Sequence, residues 1–158
     1  MSLTKEYLNT IFDYKDGSLL WKIRKSNRCI IGDKAGTSHP NGYRYISVDS
    51  KTYAEHRLVY MYHFGECPKI IDHINRNKSD NRIENLRSAT KQENCRNRDI
   101  NNTNKSGIRN VCWHKQSKKW CVQLAIDGKC VTIGRFKDIE LAELVAVEAR
   151  NKYYKEFA

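Results

Sequence analysis

The chain has 158 residues, with 29 Lys+Arg against 18 Asp+Glu, a net charge of +11 and a pI near 9.4. That length suits one or two small domains, and with a mean hydropathy of −0.77 no apolar run approaches the roughly 18 residues that a membrane span needs. The opening "MSLTKEYLNTIFDYKDG" lacks the apolar centre of a secretory signal, so a cytoplasmic protein that binds polyanions, with no membrane association, is expected.

In chain order, the region to about Pro68 mixes short strand-like runs ("GSLLWKI", "PNGYRYISV") with turn signals. "NGYRYISVDSKTY" alternates around a short polar turn and predicts a hairpin. From Glu55 to Phe64, Leu58, Val59 and Tyr62 recur at helical spacing, and Gly65 is placed to end that helix. "KIIDHI" is a β-branched strand, "NRIENL" a second short extended piece or turn, and "TKQE" offers Thr90 and Glu93 as a capping box that starts a helix. "RNRDINNTNKSG" is polar and aperiodic, as in a linker. Three strands follow, "IRNVCWHK", "KWCVQLAI" and "KCVTIGRF", joined by "QSK" and "DG" turns, and then a helix from near Asp138 with Ala142, Ala146, Ala149 and Tyr153 on one stripe. From Asn101 to Arg135, seven Lys/Arg stand against one Asp, a net +6; from Phe136 to Ala158, four stand against five Asp/Glu, a net −1. The basic sheet, rather than the helix, is therefore expected to meet a phosphate backbone.

Cys29, Cys67, Cys95, Cys112, Cys121 and Cys130 form no C-x-x-C pair, so the spacing offers no zinc ribbon. They are expected to remain reduced, as small apolar residues.

The chemistry concentrates in "IIDHINRNKSDNRIENLRSATKQEN", Ile70 to Asn94. A hard divalent cation wants oxygen ligands, which the Asp72 carboxylate and the Asn94 amide can supply, with scissile phosphate and water completing the shell. His73 has the ring chemistry to take a proton from an attacking water. Each residue also has a plain reading: Asp72–His73 as a surface pair, Asn85 as a turn residue, Asn94 as an exposed helix position. The combination at these spacings in a basic protein favours a phosphodiester-cutting site.

"DHINRNKSDNRIENLRSATKQEN" resembles the ββα-metal motif of the HNH endonuclease family, in the phage homing branch whose pattern ends in Asn. The upstream "HRLV", His56 to Val59, belongs to the same resemblance, which spans roughly Tyr53 to Arg98. It implies that His73 is the general base, that Asp72 and Asn94 hold a divalent metal (Mg²⁺, with Mn²⁺ as the alternative), and that Asn85 braces the loop behind the histidine. For His56 and Arg57 it leaves a phosphate contact or a structural role open; a structural role is expected for His56, and Arg57 and Arg76 are candidate DNA contacts.

The stretch from about Asn104 to Ala158 resembles the three-stranded DNA-binding domain of plant ethylene-response factors, which phage homing endonucleases often carry after an HNH core. Strand parity turns Trp120, Val122, Leu124, Ile126, Val131 and Ile133 toward the helix and leaves Cys121, Gln123, Ala125, Cys130 and Thr132 facing outward. Cys112, Ala125 and Cys130 stand where the plant domains usually place arginines, so base reading is expected to be sparse. Arg109, His114, Lys115, Lys118, Lys119 and Arg135 would then mainly grip phosphates, with Gln123 and Thr132 as further DNA contacts. Trp113 and Trp120 are expected as core or rim residues rather than base-stackers.

The expected fold is α+β: residues 1–98 hold N-terminal β-hairpins and a ββα-metal core, 99–107 a linker, and 108–158 a three-stranded antiparallel sheet packed on one helix. The expected activity is that of a metal-dependent, site-selective endonuclease of the homing type on double-stranded DNA, leaving 5′-phosphate and 3′-hydroxyl ends. A monomer is favoured over a dimer, with no obligate protein partner evident. The alternative is a non-catalytic DNA-binding regulator with a decayed nuclease core. A general RNA-binding protein has less support, because the aromatic signature of the common RNA-reading sheet is missing.

Overall fold

The computed structural model describes residues 3–26, 29–97, 100 and 103–155. Residues 99, 101 and 102 of the expected linker and the terminal "EFA" lie outside the described residues. The fold is mixed α+β with small antiparallel sheets. It divides into two compact units, Met1–Ala89 and Thr90–Ala158.

The first unit opens on a helix that the sequence reading did not anticipate, α1 (Lys5–Ile11), started by the Thr4 side chain accepting from the Tyr7 N–H at 3.2 Å. Leu8 and Ile11, three apart, are its buried face. β1 (Phe12–Lys15) and β2 (Ser18–Trp21) form a hairpin around Asp16 and Gly17, both at positive φ (47° and 79°). Two left-handed residues match the twist of the flanking strands, and a Cβ on Gly17 would stand 2.7 Å from the Arg82 backbone nitrogen, so only glycine fits there. β3 (Thr37–Ser38), β4 (Arg44–Val48) and β5 (Lys51–Ala54) make a three-stranded sheet in that order. The β4–β5 pair is the predicted hairpin, turning at Asp49 and Ser50. α2 (Glu55–Phe64) follows and ends as expected on Gly65, whose left-handed backbone (φ 78°) lets its N–H reach the Met61 carbonyl. Leu8, Ile11, Phe12, Leu19, Trp21, Ile46, Val48, Leu58 and Val59 converge in one apolar core. The edge of that core is Ile71 and Leu86, from the short pair β6 (Ile71–His73) and β7 (Leu86–Ser88). A single 3-10 turn, Ile83–Asn85, leads into β7.

The second unit begins with α3 (Lys91–Arg96), started by the expected reciprocal cap: Thr90 Oγ1 accepts from the Glu93 N–H, and Glu93 Oε2 from the Thr90 N–H. β8 (Val111–His114), β9 (Lys119–Ile126) and β10 (Lys129–Phe136) pair in the order β10-β9-β8, with Asp127–Gly128 as a further left-handed turn. α4 (Ile139–Tyr154) lies on the sheet through Ala142, Ala146 and Ala149, which meet Val111, Val122 and Leu124. Small side chains on the helix bring its axis close to the strands.

Three details differ from the sequence reading. Tyr154, not Tyr153, turns inward, because its hydroxyl accepts the Ala125 backbone N–H at 3.0 Å. Val131 is 37% exposed: it sits on the helix-facing side of an edge strand, and the register slips just beyond it between Thr132 and Gly134. Cys121 faces away from the helix but is buried, with Cys112 directly across from it on β8. In addition, the described end of the expected linker is knitted to the sheet rather than extended: Ser106 Oγ donates to the Val111 carbonyl (2.7 Å) and Asn104 Nδ2 to the Ile108 carbonyl (2.8 Å).

Candidate active site

The β6–β7 pair carries the Asp-His pair into the interior. Asp72 and His73 are only 4% and 5% exposed, so the plain surface-pair reading is wrong for this chain. Asp72 lies across from Arg87 in the register, and its Oδ2 accepts from both Arg87 Nε (2.9 Å) and Nη2 (2.8 Å). A buried carboxylate needs such a partner, since its own desolvation is costly.

The loop between the strands is held by Asn85. Its Oδ1 accepts the Asn75 N–H (2.9 Å), while its Nδ2 donates to Asn75 Oδ1 (3.0 Å) and to the Asp80 carbonyl (2.7 Å). Its own backbone carbonyl accepts the Ile74 N–H, which closes the loop just past His73. Asp80, beside this brace, is pulled far below the usual carboxylate range by the Arg82 guanidinium.

Behind the histidine runs a buried polar line that the sequence reading missed. His73 Nε2 is 3.0 Å from Asn81 Oδ1, Asn81 Nδ2 donates to Glu55 Oε2 at 2.9 Å, and the Leu19 N–H donates to Glu55 Oε1 at 3.1 Å. Asn81 and Glu55 are each 2% exposed. Burial pushes the Glu55 carboxyl up, and the two donors pull it back. Since a carboxylate only accepts, Asn81 must offer it the NH₂ and turn its oxygen to His73. An amide oxygen 3.0 Å from Nε2 calls for a donor at that ring nitrogen. The available sequence signal was weak: an Asn inside a loop full of amides, and a Glu at the first position of α2.

Rings also pack against the histidine. His56 stands edge-on to His73 (centroids 5.2 Å) and Tyr43 lies 5.2 Å from His56 and 6.0 Å from His73. Lys78 Nζ sits 5.0 Å above the Tyr43 ring and donates to the Asn41 carbonyl. The Tyr43 hydroxyl is shifted upward, first by burial and then by the Tyr45 and Asp72 charges. His56 is held down to about 4, first by burial and then by His73 and Arg57. A ring that protonates more readily unfolded than folded stabilises the fold fully above its unfolded pKa near 6.5, and this stabilisation is lost as pH falls from there toward about 4. The loss should be at most about 3 kcal/mol. His56→Phe, which keeps a ring against Tyr43 and His73, should show a smaller drop in unfolding free energy between pH 7 and pH 4.5 than the wild type. An equal drop in both proteins would rule the His56 contribution out.

The remaining candidates are spread over the chain. Arg57 straps the turn after α2, donating to the Pro68 and Lys69 carbonyls (3.2 and 3.3 Å), and Arg76 is exposed at a left-handed loop position (φ 64°). Asn94 is half-buried in α3, in the second unit. In that unit Lys115, Lys118 and Arg135 are exposed, while Arg109, His114 and Lys119 are half-buried. His114 is committed to the β8–β9 turn, where its Nδ1 accepts the Ser117 N–H at 3.3 Å and lies 2.8 Å from Ser117 Oγ. Gln123 Nε2 donates to Thr132 Oγ1 at 3.3 Å, on the face away from α4. Trp113 is a rim residue, 47% exposed and edge-on to Trp120 at 4.9 Å. Among the described residues no group of three or more His, Cys, Asp and Glu side chains is placed to hold a metal ion, and no helix is long and apolar enough to cross a membrane.

The candidate site is thus a buried Asp-His pair on a two-stranded ribbon, with an amide-braced loop between the strands. Residues 53–96 match the family model of the HNH endonucleases. The chain is also similar to Protein 3.8 of Escherichia phage T7, at 32% identity over 98 residues, covering 60% of this chain and 78% of that protein. No solved structure matches the chain. The protein belongs to the HNH endonuclease family.

Proposed function

We propose that the protein is a metal-dependent, site-selective DNA endonuclease of the homing type, with His73 as general base. The observation that carries this reading is the state of His73: buried, with Nε2 fixed by Asn81, so that the proton-accepting capacity lies on the other ring nitrogen. A base held in one orientation and one tautomer loses little entropy when it meets the attacking water. Asn85 keeps the loop beyond His73 in shape through its three side-chain hydrogen bonds.

The donors that the sequence pattern assigns to a cation, the Asp72 carboxylate and the Asn94 amide, are hard oxygens and fit magnesium or manganese better than a sulfur-seeking metal. When bound, such an ion supplies stabilisation for charge developing on the 3′ leaving oxygen, giving 5′-phosphate and 3′-hydroxyl ends. Double-stranded DNA is the proposed substrate. Residues 108–158 serve as a separate DNA-gripping domain, with Lys115, Lys118 and Arg135 exposed to meet phosphates.

The test is supercoiled plasmid incubated with the protein in magnesium, in manganese and in EDTA. Nicked or linear product with either metal and none in EDTA is expected. Full activity in EDTA, or none in any condition beside intact DNA binding, would overturn the reading, the second result in favour of a DNA-binding regulator.

A further inference from the structure

We infer that Glu55 is a positioning residue for the reaction: acting through Asn81, it fixes which nitrogen of His73 carries the ring proton. The inference rests on the nuclease reading for its consequence in catalysis, but not for its consequence in structure.

The geometry forms a single line of donors and acceptors with no ambiguity at its far end. The Leu19 backbone N–H can only donate, and it points at Glu55 Oε1 from 3.1 Å. Glu55 Oε2 receives the Asn81 amide from 2.9 Å, and Asn81 Oδ1 faces His73 Nε2 at 3.0 Å. Asn81 and Glu55 are each 2% exposed and His73 5%, so bulk water does not stand in for a lost partner. Glu55 is also the first residue of α2, where the unpaired N–H groups of the helix favour a negative charge. Nothing in the assigned chemistry of Asp72, His73 and Asn85 needs a carboxylate there. An apolar side chain would pack such a buried position with less desolvation cost.

The consequence follows from changing one atom. Glu55→Gln keeps the shape but carries one acceptor and one donor. The oxygen of the new amide must face the Leu19 N–H, so its NH₂ faces Asn81. Asn81 then turns its own oxygen toward that NH₂ and its own NH₂ toward His73. Nε2 of His73 now has to accept, and the ring proton moves to Nδ1, the atom that should take a proton from water.

The spectroscopic arm compares ¹⁵N imidazole spectra of full-length wild type and Glu55→Gln, with the His73 signals identified by their loss in His73→Ala. Wild type is expected to show a protonated Nε2 and an unprotonated Nδ1, and Glu55→Gln the reverse. A wild-type His73 protonated on Nδ1 overturns the inference by itself, so the test stands even if the variant folds poorly. An unchanged tautomer in a folded variant also overturns it. The kinetic arm measures plasmid nicking in magnesium: kcat should fall by about 10²–10⁴-fold, the usual worth of general-base catalysis, while KM and DNA affinity in calcium stay within about twofold. A rise in KM with kcat unchanged would show a merely structural role and sink the proposal. Absence of nicking by the wild type would remove the nuclease reading instead, and the tautomer comparison would still decide the role of Glu55.

Discussion

His73→Ala is expected to abolish nicking to within background, a loss of about 10²–10⁴-fold or more, while DNA affinity in calcium stays close to that of the wild type. The expectation comes from where the ring sits. It is buried on β6, with Nε2 at hydrogen-bond distance from Asn81, so its removal takes little surface away from the outside of the molecule. Removing it costs chemistry first. It also leaves the Asn81 oxygen without its donor in a buried place, which lowers stability by about 1–3 kcal/mol. His73→Gln separates the two effects, because a glutamine NH₂ can still reach Asn81 but cannot act as a base. Both variants should lose turnover, and only the alanine should melt markedly earlier. Asp72→Ala and Asn94→Ala should behave differently, with activity partly recovered at high magnesium. The measurement is nicking rate against magnesium concentration for the four variants. Near-wild-type cutting by His73→Gln, or its rescue by added magnesium, would end the general-base assignment.

How far the sequence could be read depended on how local the signals were. The β4–β5 hairpin, the stop of α2 at Gly65, the Thr90–Glu93 capping box and the three strands of the second unit each follow from a few neighbouring residues, and all were legible. α1 was missed because its buried face is only Leu8 and Ile11, too short a stripe to give a period. For Cys121, strand parity gives the face but not the burial, since it says nothing of what covers a side chain. At the candidate site, Asp72, His73 and Asn85 could be singled out because they stand in one motif. Glu55 and Arg87 could not, because their meaning lies in partners 26 and 15 residues away, Asn81 and Asp72. A buried polar residue announces itself only when the fold supplies its partner.

The Asp72–Arg87 pair gives the second large effect, this time on stability. Side-chain exposure is only 6% for Asp72 and 15% for Arg87, so the pair is screened little by water, and both Arg87 nitrogens that bond to it use the same carboxylate oxygen. Arg87→Met keeps much of the side-chain length on β7 but strands a buried carboxylate without its cation. Breaking one partner of a buried pair typically costs about 3–5 kcal/mol, whereas replacing both partners is often close to neutral. The double variant Asp72→Asn/Arg87→Met should therefore be more stable than Arg87→Met alone, even though it carries one more change. Urea unfolding of the four proteins in the double-mutant cycle supplies the coupling. The transition to follow is that of the first unit's core, where Trp21 packs on Phe12 at 4.8 Å together with Ile71 and Leu86. A loss below about 1 kcal/mol for Arg87→Met would place the pair among ordinary surface ion pairs, and a double variant less stable than the single would show that Asp72 is held by something other than Arg87.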